Sequence, residues 1–300
     1  MRGLLLAAAV ALIPMAACAQ PRLLTHEDMK PSTKAADARV RYGPAPSQFA
    51  DLWLPEGGGP HPVVVIVHGG CWRAEVADLS MMNDAADDLR DRGYAVWNVE
   101  YRRIGESGGG YPGTYRDVGA AFDALRGEAR GRNLDLSRLA ALGHSAGGHL
   151  ALWAASRASL PAESPLRTAN PLPVPAVLSV GGVGDLTTAK TDARFARACG
   201  ADTIDALLPR SGDPYADTSP SRLAAPGVRR VMLHGQQEQV APVDLGHAYA
   251  AHAAERGEAV EVVAVPDTGH FEVVVPGTAA WSRIVTLLGE LTGMKGAQRP

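Results

Sequence analysis

Short apolar runs alternate along this chain with longer segments in which apolar positions recur every three or four residues. Val63–Val67 is an unbroken β-branched run, the pattern of a strand buried on both faces of a parallel sheet. Tyr94–Glu100, Leu139–Leu142, Ala176–Val180, Val228–Leu233 and Val260–Val265 read as further strands. Between them, Asp78–Arg92 is amphipathic and stopped by Gly93, and Tyr115–Arg130 places Val118, Phe122 and Leu125 on one face. Gly148–Ala155, Pro242–Arg256 (stopped by Gly257) and Thr278–Leu291 complete the helical set. Strands alternating with helices predict a mostly parallel, doubly wound α/β sheet with helices on both faces, because each crossover helix must return over one face. Ahead of this unit, 38–43 and 48–55 alternate in polarity and read as edge strands joined by a turn at Pro44-Ala45-Pro46. Segments 156–175 and 186–226 lack a period and predict irregular cover, so 38–300 is expected to be a single domain.

The N-terminus changes the picture of where the protein works. Arg2 is followed by the apolar run Leu4–Ala17, too short to span a membrane comfortably. Ala17-Cys18-Ala19 fits a small-residue cleavage site, which predicts an export signal over 1–19 and a flexible polar leader over 20–37. The alternative is a lipoprotein signal that ends before Cys18, since Met15-Ala16-Ala17-Cys18 resembles a lipidation box with an atypical first residue. Either reading exports the mature chain to the periplasm or the extracellular space. Of three cysteines, Cys71 and Cys199 lie beyond the signal. An oxidising compartment permits their pairing, but Cys71 falls in a loop assigned below to catalysis, and two unpaired small side chains are the expectation.

Across 300 residues the formal net charge is −3, with 46% hydrophobic and 20% charged residues. That balance describes a globular protein and gives no basic face for nucleic acid. No phosphate-gripping glycine loop or metal-spaced Cys/His cluster appears, so neither a cofactor nor a metal is expected.

The chemistry centres on Gly143-His144-Ser145-Ala146-Gly147, a G-x-S-x-G pattern. It lies between a predicted strand end and a predicted helix start, where small neighbours permit a tight turn that lifts the Ser145 hydroxyl above the sheet. The helix N-terminus behind it offers free N–H groups to an oxyanion. Serine needs a base, and the base needs a carboxylate to fix its tautomer. His270, in Asp267-Thr268-Gly269-His270-Phe271 after the last strand, fills the first role. His144 and His149 flank the serine and aim elsewhere, while His234 shapes a turn. For the acid, Glu238 follows the strand Val228–Leu233, and Asp185 follows the preceding strand as the alternative; Asp267 reads as a loop bonder. His68-Gly69-Gly70-Cys71-Trp72 follows the first long strand, and the N–H groups of Gly70, Cys71 and Ala146 are candidates for an oxyanion hole. Trp72, Tyr111 and Tyr115 are candidates to line a substrate pocket, the tyrosines from the Gly-rich loop 106–115. Arg102 and Arg103 either anchor that loop by ion pairs or attract an anionic substrate.

Taken jointly, these motifs resemble the α/β-hydrolase superfamily, and within it the HGG-loop esterases: hormone-sensitive-lipase-like carboxylesterases, kynurenine formamidases and acetylxylan or feruloyl esterases. The resemblance covers roughly 40–295. It implies an α/β-hydrolase fold and a carboxylic-ester hydrolase working through an acyl-enzyme, with Ser145 as nucleophile, His270 as base and a small-molecule or carbohydrate-linked ester as substrate. Two positions depart from the common pattern: Cys71 stands where a glycine or tyrosine is usual, and Glu238 where aspartate is usual. Alternatives are aryl formamide hydrolysis, prolyl-oligopeptidase-like peptide cleavage and, in another class, a catalytically inactive binding protein. The only membrane contact expected is through a lipid at Cys18, and the sequence leaves the oligomeric state open.

Overall fold

The structure is a computed structural model that describes residues 22–29, 32 and 34–294. The expected export signal, its expected cleavage site and the alternative lipidation at Cys18 lie outside the described residues. Eight strands form one sheet: β1 (Ala38–Arg41), β2 (Phe49–Trp53), β3 (His61–Val67), β4 (Ala95–Val99), β5 (Leu134–His144), β6 (Ala176–Val180), β7 (Arg229–Gly235) and β8 (Glu261–Val265). Their spatial order is β1-β2-β4-β3-β5-β6-β7-β8. The β1/β2 and β2/β4 pairs are antiparallel, and every pair from β4 onward is parallel. This is the doubly wound α/β-hydrolase arrangement that the alternation of strands and helices predicted.

The two-residue period of β3 divides its side chains between two cores. Val63, Val65 and Val67 join one cluster with Val118 and Phe122 of α2 (Gly113–Gly131) and Leu150 and Trp153 of α3 (Ala146–Ala155). Val64 and Ile66 join the other, with Leu89 of α1 (Asn83–Asp91) and Trp281, Ile284 and Leu288 of α7 (Ala279–Thr292). Burial on both faces is why β3 reads as an unbroken apolar run. The first helix starts later than its amphipathic pattern predicts. Asp78 accepts the Ser80 N–H at 2.9 Å and opens a 3-10 turn over Leu79–Met82 before the α-helix begins. Conversely, β5 starts earlier, at Leu134, with a register shift opposite Pro62 and Val63.

The cover segments carry more order than their composition suggests. They contain α4 (Leu186–Thr191) and α5 (Ala193–Cys199), while α6 (Val243–Ala254) returns to the sheet. Because β3, β5, β7 and β8 run parallel, the loops after them meet at one edge of the sheet. Those loops carry the glycine-rich turn, Ser145, Glu238 and His270 respectively.

Candidate active site

Ser145 occupies a strained turn between β5 and α3, with φ 52° and ψ −119°. A non-glycine residue held there costs about 1–3 kcal/mol, so the surroundings must fix it. They do so by close backbone approach. A Cβ at Gly147 would stand 2.0 Å from the Val67 carbonyl oxygen, and one at Gly143 would stand 2.2 Å from that of Gly147. The Ser145 N–H donates to the Val180 carbonyl at 2.9 Å, which ties the turn to β6. Among the described residues the Ser145 hydroxyl makes no hydrogen bond. Catalytic hydrogen bonds to a nucleophile are commonly long in a free enzyme and tighten with substrate.

His270 and Glu238 meet across the β8 and β7 loops. The His270 Nδ1–H donates to Glu238 Oε2 at 2.7 Å, leaving Nε2 as the acceptor. Glu238 Oε1 accepts the N–H groups of Val240 at 2.7 Å and Ala241 at 3.2 Å. Burial pushes the Glu238 carboxyl up, but the hydrogen bond and charge of His270, with the two amides, outweigh it and hold it below the ordinary range. Asp185, the alternative acid, is committed elsewhere. It caps α4, accepting the N–H groups of Thr187 and Thr188, and takes the Ser221 hydroxyl at 2.9 Å. Asp267 stands in the loop before His270, at φ 49°.

His144 is not aimed away from the site as its neighbours in sequence suggest. Its Nε2–H donates to the His270 carbonyl at 3.0 Å, and the two ring centroids are 4.6 Å apart. Burial, then the proximity of His270, holds its pKa well below that of a free imidazole, so the ring is neutral. His149 does point elsewhere, with Nε2–H to the Thr218 carbonyl at 2.8 Å, and burial brings it down to about 4. The imidazole of His234 bonds the Ala241 carbonyl at 2.7 Å and shapes the turn that presents Glu238.

The glycine-rich turn after β3 is braced from below. His68 contacts Glu100 at 3.1 Å and stacks on Tyr101, whose hydroxyl donates to the His68 carbonyl at 2.9 Å. Above it, Cys71 and Trp72 adopt φ 53° and 55°. The N–H groups of Gly70, Cys71 and Ala146 donate to no acceptor among the described residues. The expectation of two free thiols fails here: Cys71 and Cys199 form a disulfide, Cα atoms 5.3 Å apart and 128 residues apart in sequence. The cover segment folds back so that the end of α5 lies on the turn, an adjacency no local pattern encodes.

The expected pocket residues are placed differently from one another. Trp72 and Tyr115 are both fully buried, each ring packed edge-on to His149, so neither offers a surface to substrate. The expectation that they line an open pocket is corrected: both side chains belong to the core behind the site. Tyr111 is half-buried, and its hydroxyl donates to Asp217 at 3.0 Å. Arg102 pairs with Asp117 at 2.7 Å and Arg103 with Glu106 at 3.0 Å, which anchors the 102–117 loop and commits both cations to carboxylates. The leader, expected to be flexible, is folded in its described part. Residues 26–28 form a 3-10 turn, the Leu24 N–H donates to Glu272, and the His26 ring packs edge-on to Phe271 at 6.1 Å. Glu272 also accepts the Gly269 N–H at 3.0 Å, so one carboxylate joins the leader to the loop bearing His270.

A protein-family model described as BD-FAE matches residues 50–251. Solved structures similar to the chain include a truncated carbohydrate esterase from gut microbiota, at 20% identity over 88% of this chain and 99% of that one, with a TM-score of 0.68. Inhibited esterase B from Lactobacillus rhamnosis gives a TM-score of 0.73 at 19% identity, over 89% and 91% of the two chains. A thermophilic esterase from the planctomycete Thermogutta terrifontis, with propionate bound, gives 0.68 at 19% identity, over 88% and 96%. No curated protein matches the chain in sequence.

Proposed function

The chain belongs to the BD-FAE family, an α/β-hydrolase esterase family, and from that premise we propose that it hydrolyses carboxylic esters through Ser145, His270 and Glu238. The observation that carries the assignment is the 2.7 Å His270–Glu238 contact, made at the same sheet edge that holds Ser145 in its strained turn.

His270 Nε2 takes the proton of Ser145 as its oxygen attacks the ester carbonyl. Glu238 keeps the proton of His270 on Nδ1 and stabilises the imidazolium that forms. The tetrahedral oxyanion is received by the N–H groups of Gly70, Cys71 and Ala146, whose lack of an acceptor among the described residues supports that role. One such donor is worth about 3–4 kcal/mol of transition-state stabilisation. The alcohol leaves with the proton from His270, and water, activated by the same ring, releases the acid from Ser145. The carbohydrate esterase among the structural neighbours supports a carbohydrate-linked ester as substrate. The Cys71–Cys199 disulfide supports export to an oxidising compartment, as the N-terminal signal suggests.

The test is direct. The wild type hydrolyses p-nitrophenyl acetate and is labelled by a fluorophosphonate at Ser145. Ser145→Ala loses label and activity, with kcat down about 10⁴-fold or more. Full activity in that variant overturns the assignment.

A further inference from the structure

We propose that the Cys71–Cys199 disulfide positions the oxyanion hole, with Cys199 acting through its bond to Cys71 to hold the Cys71 N–H where the developing oxyanion needs it. This inference rests on the esterase reading of Ser145.

Cys71 and Trp72 both stand at positive φ, 53° and 55°, a region that side chains of this size rarely occupy. Left to itself this pair would relax toward ordinary backbone angles, and that rotation would turn the Cys71 N–H away from the site. Local hydrogen bonds close the turn but leave both of its central residues at positive φ. The Arg73 N–H donates to Gly70 at 2.9 Å, and the Ile104 N–H donates to the Trp72 carbonyl at 2.7 Å. The first closes a β-turn with Cys71 and Trp72 as its central residues, and the second anchors Trp72; the covalent bond to Cys199 adds the one restraint that reaches Cys71 through its side chain, from outside the turn. The far end of that bond is firmly seated. Asp192 caps α5 through the N–H groups of Arg194 and Phe195, and the Phe195 ring packs 6.0 Å from the Trp72 ring. Beyond the helix, Thr203 donates its hydroxyl to the Cys199 carbonyl and receives Arg73 Nε at 2.9 Å, while Arg73 also reaches Asp202 at 2.7 Å. The cover segment and the oxyanion turn thus form one cross-linked unit, with the disulfide at the residue whose N–H serves catalysis.

Breaking the bond therefore lowers kcat without taking away a substrate contact. A dithiol reductant does this in two steps. Its thiolate attacks one sulfur, which releases the other cysteine as the S–S bond opens; its second thiolate then attacks the reductant's sulfur in the mixed disulfide and releases the first cysteine. Two electrons and two protons pass to the cysteines, and the reductant leaves as its own cyclic disulfide. Full ester-cleaving activity then appears only once the chain has reached an oxidising compartment.

The experiment measures kcat, KM and Tm of the full chain with p-nitrophenyl acetate, oxidised and after dithiothreitol. Reduction and Cys199→Ser are each expected to lower kcat about 10-fold or more, short of the 10²–10³ of a deleted donor, with KM changed less than about 3-fold. Reoxidation restores the wild type, which separates loss of the bond from failure to fold. Cys71→Gly/Cys199→Ser lacks the bond but puts glycine at the strained φ, and it is expected to recover most of the lost kcat while its Tm stays low. A cross-link that merely staples the fold would show no such rescue. An active wild type whose reduced form and Cys199→Ser keep kcat within 2-fold overturns the inference alone, as does a glycine double variant no better than Cys199→Ser. A wild type that neither hydrolyses the ester nor labels at Ser145 overturns the esterase reading and this inference together.

Discussion

Replacing Glu238 by glutamine keeps the shape of the side chain and removes its charge. In the wild type the carboxylate accepts the His270 Nδ1–H at 2.7 Å and the amides of Val240 and Ala241 through its other oxygen. Glutamine has one acceptor oxygen for these two directions. If that oxygen keeps the amides, an NH₂ group faces His270 Nδ1 and the favoured tautomer places the ring proton on Nε2, the atom proposed to receive the serine proton. If it keeps His270, two buried N–H donors face an amide donor instead. Either way the imidazolium formed during attack has lost its partner. With charge centres about 4 Å apart at an effective dielectric near 20, that partner is worth about 4 kcal/mol, or close to 10³ in rate. Glu238→Gln is therefore expected to lower kcat about 10³–10⁴-fold with little change in KM, read with p-nitrophenyl acetate alongside Asp185→Asn as the structural control. The pH dependence has a definite sign. The carboxyl is held below its ordinary value of 4.5, so it is fully ionised above that pH and its contribution is lost only as the pH falls through the lower folded-state value. A Glu238→Gln enzyme within 10-fold of wild type, with Asp185→Asn inactive, would refute the assignment of the acid.

Two further outcomes test how the site is held. His149 is buried and neutral, with its pKa brought from 6.5 down to about 4, so the unfolded chain binds a proton between these values that the folded chain excludes. Stability is therefore complete above pH 6.5 and falls by about 3 kcal/mol on going down to pH 4. Plotted against pH, stability from urea melts should fall more steeply across that window for the wild type than for His149→Gln, so that the difference between them changes by about 3 kcal/mol; parallel curves count against the buried neutral ring. Glu272 receives the N–H groups of Leu24 and Gly269, so Glu272→Ala should destabilise the protein by about 2–3 kcal/mol and slow turnover with KM nearly unchanged. Unaltered stability and kcat in that variant would show that the leader and the His270 loop are held by other means.

What the sequence made legible is what a short stretch of backbone dictates. The β-branched runs, the glycine stops and the 3.6-residue periods located the interior strands and the main helices, because burial on both faces of β3 and one face of α2 leaves its period in the residues themselves. The turn at Ser145 was legible for the same reason, since Gly143 and Gly147 are required by contacts within a few residues of the serine or with the adjacent strand. Boundaries were less so: Asp78 caps a 3-10 turn before α1 just as it would cap an α-helix, and the side-chain pattern does not distinguish the two. The contacts that hold the site join distant parts of the chain. Cys71 meets Cys199, His68 meets Glu100 and Leu24 meets Glu272 only after the sheet has brought its loops to one edge. His144 shows the limit most clearly. Its place in the G-x-S-x-G pattern is visible, yet its bond to the His270 carbonyl spans 126 residues and depends on which way the β8 loop closes. A local motif therefore identifies the proposed nucleophile, while the groups packed around it come from the topology.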